Sequence, residues 1–445
     1  MKNLKVYLFI GFFLLILIII SQCGSNRQTI LIDTRAGSTA EKVTDHVSDS
    51  TKIINLYMDA SIGMKGYFDN VNVSDSAFLL KSLLPTLIVD LIDRGYKMQT
   101  HTVHKETNEI PVSNFLAGLK SKSLFYGGND LKKYLPDIVR SANESVKIIV
   151  SDFIYDNVKV DNVTILRDVR NEIYESLKES DKAILLMQFY SDFNADHYYN
   201  MNTSEKPFFR QDITLKKRPF YIMVIGDYQK IEALIDYHIF KNYENVFVYA
   251  EAINILNEWS LIKSYKKGSV AIRENDNELI VYKPEKSKPF SFLIGYNFIE
   301  LPIGFNSIEY LNANSQLKQD YLRDNIKWKW IDKNNFINNY IDKKDPKYAL
   351  QVSKELNNST HVLAIEILNF KNIPDTDFEV VVKTAEPNWI SESNLSSDLD
   401  IEGHNYQLLE KKTALFSVLS DALKDRYYNR EQHLIEISFS KKNKK

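Results

Sequence analysis

The stretch LYMDASIGMKGYF, residues 56–68, ends an apolar run on Asp59 and follows it at once with Ser61, Gly63 and Gly66. The run that feeds it, Ile53 to Met58, lacks strict polar alternation, the habit of a strand buried on both faces. Comparable runs recur at Val146 to Val150, Ala183 to Tyr190, Phe220 to Ile225 and Val246 to Tyr249. Between them, residues 75–94, 130–142, 163–179 and 228–241 repeat apolar side chains every three or four positions, which predicts helices, with Pro85 expected to kink or restart the first. Strand and helix alternate to about residue 255. The expected fold is therefore a three-layer α/β domain over residues 51–255 with a mostly parallel, Rossmann-like sheet.

Beyond residue 260 the texture changes to short β-rich segments, among them ELIVYKP, FSFLIGY, IKWKWID, HVLAIEIL, FEVVVKT and HLIEISF. Asn, Asp, Pro and Lys clusters separate them, which predicts antiparallel, sandwich-like modules over residues 260–355 and 356–445. In IKWKWID, strand parity places Ile326, Trp328 and Trp330 on one face and Lys327 and Lys329 on the other, so the tryptophans are read as core.

With 445 residues the chain exceeds one ordinary core, and its 44% apolar and 26% charged residues are those of a globular protein. A formal net charge of -2 supplies no general attraction to nucleic acid. The single cysteine, Cys23, excludes intrachain disulfides and multi-cysteine zinc sites. It follows Lys2, Lys5 and the apolar run Val6 to Ile20, the layout of a bacterial signal peptide over residues 1–22. The arrangement resembles a lipoprotein signal, in which Cys23 becomes the lipidated first residue, although Gln22 stands where Gly, Ala or Ser is usual. An uncleaved signal anchor is the alternative, its apolar run being short against the roughly 20 residues a bilayer span needs. Either reading places the remainder in the bacterial cell envelope, outside the cytoplasm, with residues 23–50 as a polar tether.

Asp59, Asp152 and Asp227 each close one of the apolar runs, and in open α/β sheets the carboxyl edge is where ligands bind. Helix capping is the competing role, preferred for Asp227. A nucleophile elbow at Ser61 needs Gly where Asp59 stands, and a phosphoryl-transfer pair needs an acid where Ser61 stands. The sequence Asp59-Ala60-Ser61-Ile62-Gly63-Met64-Lys65-Gly66 resembles the D-x-S-x-S opening of von Willebrand factor A domains, whose metal-ion-dependent adhesion site lies at such an edge. Ser151-Asp152-Phe153 and the loop Gly127-Gly128-Asn129-Asp130-Leu131 extend the resemblance.

The resemblance implies a Mg²⁺ or Mn²⁺ site built from Asp59, Ser61, Asn129, Asp130 and Asp152, with one coordination position left for an acidic group of a protein or envelope partner. Gly63 replaces the second serine and Asn129 the expected threonine. The function implied is binding or adhesion. A metal-assisted hydrolase using the same acids and a non-catalytic envelope scaffold are the alternatives.

Other motifs carry less. His101 and His104 form H-x-x-H, but on a strand they face opposite ways. Asp398, Asp400 and Glu402 imitate a calcium loop, yet Leu409 at its twelfth place argues for a strand and turn. No phosphate-binding glycine loop or dinucleotide fingerprint is present. The lipid assignment has a direct test: Cys23→Ala is expected to abolish incorporation of a radiolabelled fatty acid, and an undiminished label would exclude lipidation at this residue.

Overall fold

The computed structural model describes residues 27–36, 52–69, 79–129, 131–141, 145–154, 162–179, 182–198, 210–235, 245–250, 258–265, 270–272, 278–282, 289–298, 304–342, 344–373, 377–395, 406–414, 416–428 and 433–443. Strand β1 (Arg27–Ala36) belongs to a C-terminal sheet, taken up below. The next seven strands form one sheet: β2 (Ile53–Asp59), β3 (Lys97–Val103), β4 (Thr107–Ile110), β5 (Val146–Ser151), β6 (Ala183–Tyr198), β7 (Arg210–Gly226) and β8 (Val246–Tyr249). Their order is β4-β3-β2-β5-β7-β6-β8.

The sheet is mixed. Only β3, β2 and β5 pair in parallel; β4, β7, β6 and β8 join antiparallel to their neighbours. The expected mostly parallel sheet is thus confined to three central strands. Because β7 runs against β5, with Lys147 opposite Ile225 and Ser151 opposite Tyr221, Asp227 emerges at the edge opposite Asp59 and Asp152. There it lies 3.1 Å from Lys230, three residues along the helix that follows.

Both faces of the sheet are covered, which explains the unalternating runs. Ile54, Leu56, Met58, Ile148 and Val150 face α1 (Leu80–Asp93) and α2 (Val112–Ser121), while Tyr57 and Ile149 face α3 (Leu131–Arg140) and α4 (Asn162–Lys178). The α1 residues Leu80, Leu83, Leu84, Leu87, Ile88 and Leu91 form its buried stripe, and the helix runs through Pro85 without a break in assignment. Helix α5 (Tyr228–Ile235) covers the α1 face with Ile231 and Leu234. The result is a helix–sheet–helix α/β unit.

Strands β6 and β7 outrun their neighbours. Beyond Phe189 and before Phe220 they continue as a two-stranded ribbon to the Tyr198–Arg210 pair, with an irregularity between Ser191 and Phe193. The ribbon packs on a 3-10 turn, residues Ile62–Tyr67, so closely that a Cβ on Gly66 would stand 2.5 Å from a Phe193 ring carbon and 2.8 Å from Ala195 Cβ. Gly66 is needed for this approach, since any side chain would push the ribbon away.

The C-terminal half supplies two further antiparallel sheets. One, with strands β9 (Glu258–Leu261), β12 (Phe290–Asn297), β14 (Ile326–Asp332) and β15 (His361–Ile367), has the order β14-β15-β12-β9. The other combines β1, β10 (Val270–Ile272), β11 (Glu278–Tyr282), β13 (Ser315–Leu317), β16 (Phe378–Lys383) and β19 (His433–Asn443) in the order β10-β11-β1-β19-β16-β13. They face each other through contacts such as Phe292 on Phe439, with ring centroids 5.9 Å apart. Ile326 and Trp330 are buried and Trp328 is partly so, as strand parity requires, while Lys327 and Lys329 are exposed. Position 355 falls between strands of the first sheet, and β1 lies within the segment read as a tether.

The C-terminal region is fastened to the α/β unit. Gln188 on β6 donates to Ser393 Oγ at 2.7 Å and to the Tyr221 hydroxyl at 3.2 Å, and Tyr221 donates to Thr413 at 3.1 Å. These last partners flank β17 (Asn394–Leu395) and open β18 (Thr413–Ala414). On the other helix layer, Arg170 of α4 binds Asp425 with a 2.9 Å Nε contact, Asp425 lying on a helix spanning Ser417–Tyr428.

Lys147 of β5 is fully buried, and its ammonium donates to the Ile138 carbonyl at 2.6 Å and the Ser141 carbonyl at 2.8 Å, at the end of α3. Burial first, and the nearby Lys182 charge second, push its pKa from 10.5 down to about 7. The unfolded chain keeps this proton up to about pH 10.5, so between pH 7 and 10.5 the unfolded state binds more protons and stability rises with pH. Lys147→Met is expected to flatten that rise when melting temperature is followed across the window; an unchanged slope would rule out Lys147 as its source.

Candidate functional site at the carboxyl edge

Asp59 ends β2 with its side chain 1% exposed. Its Oδ1 accepts the Ser61 backbone N–H at 3.0 Å, and its Oδ2 accepts the Asn129 Nδ2 at 2.6 Å and the Ser151 hydroxyl at 2.8 Å. Burial raises the carboxyl pKa, and the hydrogen bonds from Ser61, Ser151 and Asn129 oppose that rise. Three loops meet on this one group, because Ser61 follows β2, Asn129 precedes α3 and Ser151 ends β5. Backbone bonds reinforce the junction: Ile62 N donates to Gly127 O at 2.9 Å and Tyr126 N to Ala60 O at 3.1 Å. Gly127 itself takes φ +62°, a left-handed conformation that favours glycine.

Asp152 takes the other direction. It is 4% exposed, and its Oδ2 lies 3.6 Å from Arg218 Nη2 on the ribbon. The guanidinium is itself buried, 4.0 Å from the Phe193 ring centroid and 5.8 Å from that of Tyr67. Asp152 Oδ1 accepts the Ile154 N–H at 3.1 Å, while Phe153 between them takes φ +51°, a strained value for an aromatic residue. The Asp152 charge is therefore balanced by Arg218 and not directed at Asp59.

Of the residues expected to form the site, Asp59, Ser61 and Asn129 come together, Asp152 lies alongside but is paired elsewhere, and Asp130 and Cys23 fall outside the described residues. Gly63 sits beside Ser61 with open space; an added Cβ would meet nothing nearer than the Ser61 hydroxyl at 3.8 Å. Sequence reasoning missed three participants. Ser151 enters the sequence reading only within Ser151-Asp152-Phe153, Arg218 lies far away in the chain, and His104 reads, like His101, as an isolated polar residue. His101 stacks on Tyr57 at 4.5 Å and binds Asn55, away from the edge. His104 stacks on Tyr126 at 3.9 Å and places Nδ1 3.1 Å from the Tyr126 carbonyl, which fixes the proton on Nδ1. Its buried Nε2 has no hydrogen-bond partner, and burial lowers its pKa, against the pull of the Tyr126 carbonyl and the Asp59 charge.

The donor set fits a weak oxygen site for a hard cation. Asn129 is 8% exposed, and its Oδ1 is buried without a hydrogen-bond partner on the same amide that binds Asp59. Such an orphaned acceptor costs stability unless a donor or cation meets it. Asp59, Ser61 and Ser151 supply further oxygens at the same junction, whereas Asp152 is drawn away by Arg218. Among the described residues no cluster of three or more His, Cys, Asp or Glu side chains forms a metal centre, so a cation here would rest on one carboxylate.

Removing the carboxylate leaves three buried donors without an acceptor. Asp59→Ala is expected to lower stability in urea unfolding by about 2 to 4 kcal/mol, and Asp59→Asn by less, since the amide oxygen keeps an acceptor in place. Equal stability of Asp59→Ala and the parent would show that the junction does not depend on this group. No family model matches the chain, and neither does any curated protein or solved structure.

Proposed function

We propose that this is a membrane-tethered protein of the bacterial envelope that works by binding a protein or envelope component at the carboxyl edge, through a von Willebrand factor A-like domain. The observation that carries the reading is the orphaned Asn129 Oδ1 on the amide that donates to Asp59, whose carboxylate accepts three hydrogen bonds. A carboxylate that already accepts three hydrogen bonds and is sealed from solvent is poorly placed to act as a nucleophile or base on a substrate. It is well placed to hold three loops in fixed relation, which is what a recognition surface needs.

Mg²⁺ or Mn²⁺ is the proposed cofactor, held by Asp59, Ser61, Ser151 and the Asn129 carbonyl oxygen. When bound, the ion would supply a Lewis-acidic point for an acidic group of the partner. Around the junction, Tyr126 stands 58% exposed on the loop that follows α2, its ring supported from behind by His104. An exposed aromatic side chain on a rigid loop is the kind of residue that dominates an interface.

Two measurements test this. Mg²⁺ or Mn²⁺ is expected to raise the melting temperature of the protein, more strongly in Gly63→Ser, where a second hydroxyl has room, and not at all in Asp59→Ala; no response in any of the three would remove the ion. Cross-linking to envelope components is expected to give a product that Tyr126→Ala loses without loss of fold, and a product identical in both proteins would place the contact elsewhere.

A further inference from the structure

A groove of about 370 Å³ opens on the helix face of the sheet, between α3 and the turn that links β3 to β4. Its floor is Tyr57, buried and stacked on His101, and Tyr134 of α3 closes one side. Four charged side chains ring it: Lys133 and Asp137 from α3, Lys105 and Glu106 from the turn. Among the described residues none of the four enters an ion pair with another.

Opposite charges that line one concavity without pairing are an arrangement a dipolar ligand can satisfy. Lys133 precedes Asp137 on the helix, the less favourable order for an i,i+4 pair, so the helix does little to draw them together. Four residues of helix separate their backbone positions by about 6 Å along the axis. An extended dipeptide spans about 7 Å between its ends, and the groove volume is that of a small-molecule site.

We propose that this groove binds a dipeptide-sized zwitterion, its carboxylate at Lys133 and Lys105, its ammonium at Asp137 and Glu106, and an apolar or aromatic side chain laid on Tyr57 and Tyr134. The ligand class follows from the balance of the rim, two cations and two anions, which gives no net preference to a simple anion or cation. Tyr57 and Tyr134 supply the apolar contact that amino-acid backbones alone would not need. The groove shares no residue with the Asp59 junction and does not rest on an ion there.

The test is calorimetric titration of the full chain with glycyl-L-phenylalanine, its N-acetyl form and its C-terminal amide. Saturable binding of the free dipeptide is expected, with either blocked form weaker by about tenfold, the loss of one charge-assisted contact. Lys133→Ala is expected to erase the difference between the free dipeptide and the amide, and Asp137→Ala the difference between the free dipeptide and the acetylated form. Both side chains are exposed, so neither change endangers the fold. No saturable heat up to about 10 mM dipeptide, or blocked forms that bind wild-type protein as well as the free one, overturns the proposal.

Discussion

The Asp59 carboxylate, taken out of water at the end of β2, is tolerated only because donors from three separate loops surround it. That requirement organises the carboxyl edge. Ser61 N–H fixes the entry into the 3-10 turn, Asn129 fixes the start of α3, and Ser151 fixes the exit of β5. Each of these loops then positions something else: the turn seats the ribbon on Gly66, the Asn129 loop presents Tyr126, and the β5 exit sends Asp152 to Arg218. An isolated buried charge would be intolerable there, whereas a charge with three donors becomes the point that relates the loops.

The buried Arg218–Asp152 pair has a different character from the Asp59 junction. Arg218 reaches Asp152 from between the Phe193 and Tyr67 rings, so desolvation of the guanidinium is offset partly by aromatic faces and partly by the carboxylate. The pair pins the ribbon to the sheet at the place where β6 and β7 leave it. The Glu410 side chain, accepting the Lys216 N–H at 3.2 Å, holds the ribbon from the C-terminal side as well. The edge is therefore walled by elements drawn from both halves of the chain.

Much of the α/β unit is legible in the sequence. Buried strands announce themselves as apolar runs, and α3 and α4 lie within two residues of the periodic stretches that predict them. Strand direction is not legible, because a run buried on both faces reads the same whether its neighbour is parallel or antiparallel. Asp227 therefore reads in the sequence as an acid of the same edge as Asp59 and Asp152, although β7 runs against β5. The site was legible in Asp59, Ser61 and Asn129, but strand parity should have chosen Ser151 over Asp152: Met58 pairs with Val150, so the residues after them face the same way and Asp152 faces the other. Arg218 carried no signal, since only the ribbon brings it back to the sheet. The first β-rich stretch was missed because the partners of β1 lie at residues 278–282 and 435–443, too remote for local periodicity to report.

The pairing of β1 with β11 and β19 also sets a leash. Were Cys23 the attachment point, as proposed, only three residues, Gly24 to Asn26, would separate the lipid from Arg27, which starts the first described strand. Fully stretched, the four peptide steps from Cys23 to Arg27 reach about 14 Å, less than the thickness of a single folded domain. A protein fastened in that way would sweep only a small volume above its membrane and would ride close to the headgroups.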